Sequence, residues 1–265
     1  MTVVLTGDVH NWIESADRAH ANDTESALAV KYARIAGRHG LKVTLFLTGR
    51  AVIEDAVSFR TLLDEQNVEV GGHGWDSFRP AWRYRAVNKL LGSPHGSSAM
   101  QARMVRRTCG TIERLTGQRV LSWRNHAYCF DGRTPRVLAD AGIQVWSDEV
   151  RLDRVGPYRH GSGVTILPIN TTPDHEHLYH GDQTSETVPV ARRPQYDHPD
   201  AWRERVLHHV QSIVSGGGVA TILAHPLCMN VVDDWRTFER LCSSLTGYPS
   251  AWAVEAAERA RTPGS

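Results

Sequence analysis

Asp8 and His10 stand two residues apart near the start of the chain, in "LTGDVHNW" (residues 5–12), behind a short β-branched run. Residues two apart on a strand face the same way. The spacing therefore sets a carboxylate and an imidazole side by side on an inward face, where they must be hydrogen-bonded, neutralised or bound to something. A metal site, a local acid–histidine pair and a cap on the following loop all satisfy that demand. Four further segments carry the same residue types: "GGHGWDS" around His73, "SWRNHAY" around Arg124 and His126, "WSDE" around Asp148, and "AHP" around His225. The chain holds 14 histidines. Histidine is the commonest metal ligand and titrates nearest neutral pH, so the excess favours metal or acid–base chemistry.

Positioning such residues falls to alternating strands and helices. "TVVLTG", "KVTLFLTG", "NVEVGG", "RVLSW", "IQVWSD", "GVTILPI" and "VATILAHP" read as buried strands. Between them, "ESALAVKYARIAGRHG" places Ala27, Leu28, Tyr32, Ile35 and Ala36 at helical spacing. "EDAVSFRTLLDEQ", "SSAMQARMVRRTCGTIERLTG", "RTPRVLADAG", "DAWRERVLHHVQSIVSGGG" and "DWRTFERLCSSL" follow as helices. That alternation predicts parallel βαβ units. The expected fold is α/β, a distorted (β/α) barrel of about seven parallel strands, forming one domain over residues 1–265. In parallel α/β folds, ligands sit at the carboxyl ends of the strands, and each of the five polar segments falls at such an end. Two connections, residues 73–97 and 170–198, read as irregular and are longer than simple joints, so they are expected to wall a pocket. The second contains "DHEHLYH", with Asp174, His175, His177 and His180; it reads as a substrate-contacting loop, not a second metal site.

Composition narrows the function. Thirty basic residues against 29 acidic give a net charge of +1, which offers no general attraction to nucleic acid or an anionic membrane. No apolar run approaches the length of a membrane span. The first residues lack the pattern of a secretory leader, and the four scattered cysteines form no CxxC pair. A cytoplasmic location with reduced thiols is expected. The sequence does not specify an oligomeric state.

The ordered set "TGDVH", "GGHGWDS", "SWRNHAY", "WSDE" and "LAHP" resembles the motif series of the polysaccharide deacetylase (NodB-homology) superfamily, from Met1 to Pro226. The resemblance implies a distorted (β/α) barrel that hydrolyses N-acetyl or related C–N bonds with one divalent metal, zinc being the expected ion. It matches Asp8 to the catalytic base, Arg124 to the arginine positioning that base, and His225 to the general acid. Asp148 would be the acid tuning that histidine, and His73 the first histidine of an H-x-x-x-H metal motif. Two departures stand out. Val9 occupies the position of the usual metal-binding carboxylate, leaving His10 as the ligand two residues on. Ser77 replaces the second histidine of the H-x-x-x-H pair, and a hydroxyl is a poor zinc ligand. The metal set would then be Asp8, His10 and His73, with Asp8 as base or ligand, or else His126 or His175 closes the shell. Trp75, Ser77, His126, His175 and His177 are the expected substrate contacts, with Arg124 or backbone amides helping at the oxyanion.

The expected activity is metal-dependent hydrolysis of a non-peptide amide, most simply deacetylation of a small acylated sugar or metabolite. Ring opening of a cyclic amide or imide is one alternative. A catalytically inactive barrel retained as a small-molecule binding protein is the other.

Overall fold

The computed structural model describes residues 1–13, 15–178 and 196–259; His180 lies outside them. Eight strands form one sheet: β1 (Thr2–Val9), β2 (Val43–Leu47), β3 (Val68–Gly72), β4 (Ser122–Trp123), β5 (Val145–Trp146), β6 (Tyr158–Arg159), β7 (Thr165–Ile166) and β8 (Val219–Leu223). The helices are α1 (Ser15–Arg18), α2 (Glu25–Arg38), α3 (Gly49–Glu54), α4 (Ala56–Leu63), α5 (Ala81–Leu91), α6 (Ser98–Thr116) and α7 (Thr134–Asp140). They continue with α8 (Pro199–Ser215), α9 (Pro226–Asp233), α10 (Arg236–Leu245) and α11 (Ala253–Arg259).

Strand order is β6-β7-β5-β4-β3-β2-β1-β8. Every described pairing is parallel except β6 with β7. The middle strands are covered on both faces, which is why they read as continuous apolar runs: all residues of β1, β2 and β8 are buried. Between β8 and the β6–β7 side, the curled sheet is closed by side-chain bonds. Asn170 donates through Nδ2 to the Val219 carbonyl (2.9 Å) and accepts at Oδ1 from Thr221 N (2.7 Å), imitating a strand partner. Val219 N also donates to the Val155 carbonyl at 2.8 Å. The result is a distorted, mostly parallel barrel.

Residues 73–97, read as irregular, in fact contain α5, a helix that buries none of its side chains. With no buried stripe to serve, its apolar residues carry no clear periodic signal. The helices α9 and α11 were likewise not apparent from the sequence; both are short.

Candidate metal and acid–base site

The end of β1 presents its alternate residues inward. Thr6 and Asp8 share a face, and both meet the guanidinium of Arg124, which follows β4. Arg124 is fully buried. Its NH1 donates to Asp8 Oδ1 (2.9 Å), its NH2 to Thr6 Oγ1 (3.1 Å) and Ser147 Oγ (2.9 Å), and its Nε to the Ser147 carbonyl (2.9 Å). These bonds commit four of the five guanidinium N–H groups to Asp8, Thr6 and Ser147. Burial alone would raise the pKa of Asp8. Arg124, His73 and His225 outweigh it and hold the carboxyl well below its ordinary value.

His73 follows β3 because Gly71 and Gly72 let neighbouring side chains close over that strand. A Cβ on Gly72 would come within 2.5 Å of the Trp123 ring. His73 is completely buried, and its Nδ1 donates to the Arg124 carbonyl at 2.9 Å. Its Nε2 is thereby left as a lone pair, and it lies 3.1 Å from His10 Nε2. His10 is oriented the same way: its Nδ1 lies 3.0 Å from Glu25 Oε2, which also accepts from His10 N at 2.7 Å. Glu25 opens α2 and its side chain is 1% exposed. Burial pushes His73 down to about 3, with Asp8 opposing, so its ring is neutral at physiological pH.

His126 completes the cluster. Its donor atom lies within 4.8 Å of those of His10 and His73, and its buried Nδ1 has no hydrogen-bond partner. The backbone just after it is bent hard: Ala127 and Tyr128 both adopt φ of 53°, a left-handed conformation costing such residues about 1–2 kcal/mol each. Asn125 is clamped by Asp148, which accepts from Asn125 N and Nδ2, both at 2.6 Å.

This donor set fits a divalent cation. The two Nε2 atoms, 3.1 Å apart, need either a shared proton or a cation between them. Tetrahedral zinc with Zn–N near 2.0–2.1 Å spaces its nitrogens by roughly 3.3 Å. Hydrogen bonding of the opposite ring nitrogens to a carboxylate and a carbonyl is the usual support for ligating histidines. Asp8 flanks this group, with its Oδ2 3.8 Å from His73 Nε2. The structure brings His10, His73 and His126 together, with Asp8 beside His73.

On the opposite side of Asp8, His225 ends the segment after β8. Its Nε2 lies 3.5 Å from Asp8 Oδ2 and its Nδ1 2.7 Å from Asp174 Oδ1. Asp174 Oδ2 also accepts from His225 N at 2.6 Å. Burial would lower the pKa of His225, but Asp174 and Asp8 outweigh it and raise it well above the ordinary histidine value. The acid that meets His225 is thus Asp174. Asp148 instead faces Asn125 across β4 and β5, and burial pushes it up to about 7 against those hydrogen bonds. A second close group, Asp174, His225 and Cys228, is accounted for by this acid–histidine pair.

A cavity of about 220 Å³ opens over these groups, lined by His10, Ser77, His126, His175 and His225 together with Trp12, Tyr128 and Glu176. Ser77 lies 3.4 Å from Asn11 Oδ1 and only lines the wall. His175 lines it too, with Cys228 Sγ 3.6 Å from its Nδ1. His177 does not line this cavity, because the turn that begins at Asp174 presents Glu176 in its place. Trp75 is also elsewhere: it packs flat on Gly49, where a Cβ would come within 2.6 Å of the ring. Glu25 was not read as a site residue, and Asp174 was read only as part of the substrate-contacting loop. Glu25 follows the capping Thr24 and reads as an ordinary first-turn acid, and the spacing of Asp174 in its loop does not announce a partner 51 residues away.

No family model and no curated protein matches the chain. Solved structures do match in fold. A protein described as a polysaccharide deacetylase from Mycobacterium smegmatis aligns at TM-score 0.73 and 14% identity, over 100% of this chain and 93% of that one. A PuuE allantoinase aligns at 0.66 and 14%, over 100% and 91%. A family 4 carbohydrate esterase (CE4) pseudoenzyme from Bacillus anthracis aligns at 0.57 and 18%, over 97% and 65%. The barrel of this chain has the fold of the polysaccharide deacetylases.

Proposed function

We propose that the chain is a metal-dependent hydrolase of a non-peptide C–N bond, most simply a deacetylase of a small acylated sugar or metabolite. The observation that carries this reading is the convergence of the ring nitrogens of His10, His73 and His126 within 4.8 Å of one another. These three residues would hold the cation. A divalent ion there supplies Lewis acidity to a bound carbonyl and to water.

The remaining work falls to the side chains on either flank. Arg124 occupies Asp8 Oδ1, so Oδ2 is the oxygen able to take a proton from water; Asp8 is the base. His225, held protonated between Asp174 and Asp8, faces the same oxygen and is placed to protonate the leaving nitrogen. Together the two carboxylates, the guanidinium and the imidazolium carry no net charge, which lets the group stay buried without a counterion. Trp12, Tyr128 and Glu176 would shape the substrate end of the cavity, with Ser77 and His175.

The test is metal content together with turnover. Protein reconstituted with zinc should hold one equivalent and cleave members of a panel of N-acyl amines, and His73→Ala should lose both properties. Absence of bound metal, or full activity in His73→Ala, would sink the reading. The fold likeness to an allantoinase supports a second reading, ring opening of a cyclic amide. Cyclic imides in the same panel separate the two.

A further inference from the structure

The total charge conceals a local asymmetry. Residues 79–119 carry nine Lys or Arg and one Asp or Glu, in a chain whose net charge is +1. This segment is α5, α6 and their connection. Between the two helices lies a surface groove of about 340 Å³, lined by Arg83, Arg103 and Arg107 with Trp75, Tyr84 and His95 among its walls. It shares no lining residue with the histidine cavity.

Three observations mark the groove as built to receive an anion. First, among the described residues no carboxylate pairs with Arg83, Arg103 or Arg107, so all three guanidiniums are open to an anion at the groove. Arg103 and Arg107 are one turn apart on α6, a like-charge spacing that destabilises a helix unless something neutralises it. Second, Arg107 is preorganised. Its guanidinium carbon lies 3.4 Å from the Trp75 ring centroid, and Trp75 is fixed against the backbone of Gly49. Stacking occupies the face of the guanidinium and leaves its in-plane N–H groups to hydrogen-bond. Third, His95 is 7% exposed, its Nε2 lies 2.8 Å from the Cys129 carbonyl, and its buried Nδ1 has no partner. With Nε2 carrying the proton, Nδ1 is an acceptor that a ligand hydroxyl would satisfy.

We propose that this groove binds a hydroxyl-bearing phosphate ester, the phosphoryl group on Arg83, Arg103 and Arg107 and a hydroxyl on His95. The non-bridging oxygens of a phosphate ester carry its negative charge and accept strong hydrogen bonds, which guanidiniums match in plane. The site stands whether or not the barrel is a hydrolase. A free metabolite and a lipid headgroup offer the same chemistry.

The experiment is calorimetric titration of the whole chain with glycerol 3-phosphate at low ionic strength, alongside co-sedimentation with vesicles of phosphatidylglycerol in phosphatidylcholine. The variant Arg103→Gln/Arg107→Gln changes only exposed side chains, and its melting curve checks that it folds. Arg136→Gln, on α7, is the control for loss of surface charge. Saturable binding that weakens at least about tenfold in the double variant, is unchanged in Arg136→Gln and fades with added salt is the expected result. Binding of the soluble ester without vesicle binding identifies a free metabolite; vesicle binding lost in the double variant identifies a headgroup. Absence of binding to both probes, or binding unaffected by the double variant, overturns the proposal.

Discussion

Glu25→Gln tests the metal reading without any knowledge of the substrate. Glu25 Oε2 takes both the backbone N–H of His10 (2.7 Å) and its Nδ1 (3.0 Å), with a side chain 1% exposed. Glutamine keeps the shape and can offer its oxygen to the same two donors. Its NH₂ then falls where Oε1 now sits without a partner. What changes is the bond to the imidazole, from carboxylate to neutral amide, which is roughly half as strong. Weakening that support lowers the basicity of His10 Nε2 and loosens its aim. Loss of an outer partner of a ligating histidine costs about 10–100-fold in metal affinity, or roughly 1.4–2.7 kcal/mol. The assay is zinc competition against a chromophoric chelator, using protein first stripped of metal. Thermal melting of the stripped protein should move little, because the backbone bond to His10 survives. Zinc affinity unchanged within about twofold, at intact folding, would refute the assignment of His10 as a ligand.

Other outcomes follow from the same geometry. His126→Ala should fold and lose tight zinc binding, measured by metal analysis, whereas Ser77→Ala should leave stoichiometry untouched. Asp174→Asn removes the partner that most raises the pKa of His225, so the protonated form is lost at lower pH. The alkaline limb of the pH–rate profile should move down, with a rate loss at neutral pH of roughly 10²-fold or more. Glu69, half-buried on β3, accepts from Ser122 Oγ (2.8 Å) and Val254 N (3.2 Å). Burial raises it from 4.5 to about 7 against those bonds. A raised carboxyl stabilises the fold fully only below its unfolded pKa, and that contribution fades as pH climbs through the folded one. The stability of Glu69→Gln relative to the parent should therefore rise by about 3 kcal/mol between pH 4.5 and pH 7, read by urea unfolding at each pH. Gly72→Ala should destabilise by about 1–3 kcal/mol or more, since a Cβ there meets the Trp123 ring.

Much of the scaffold was legible because its signals are local. Buried parallel strands must be apolar along their whole length, and helices facing a sheet need a periodic stripe, so β1, β2, β3, β8, α2, α6 and α8 could be read from pattern alone. The helix α5 could not, because none of its residues is fully buried and its packing leaves little periodic stripe. Total charge was equally uninformative about α5 and α6, since a balanced sum says nothing of where the charges lie.

The same division runs through the site. The sequence by itself determined that Asp8, His10, His73, Arg124, His126 and His225 belong at strand ends, for strand direction and period fix which residues reach the carboxyl edge. Only the tertiary structure decided which of these side chains meet. His126 reaches the cluster through a left-handed bend at Ala127 and Tyr128, which residue types do not announce. Asp174, 51 residues from His225, takes the role expected of Asp148, because the loop after β7 folds back over β8 while Asp148 is spent on Asn125. Glu25 orients His10 from a helix start. These are long-range encounters between side chains, and the backbone path that creates them is set by the packing of the whole barrel.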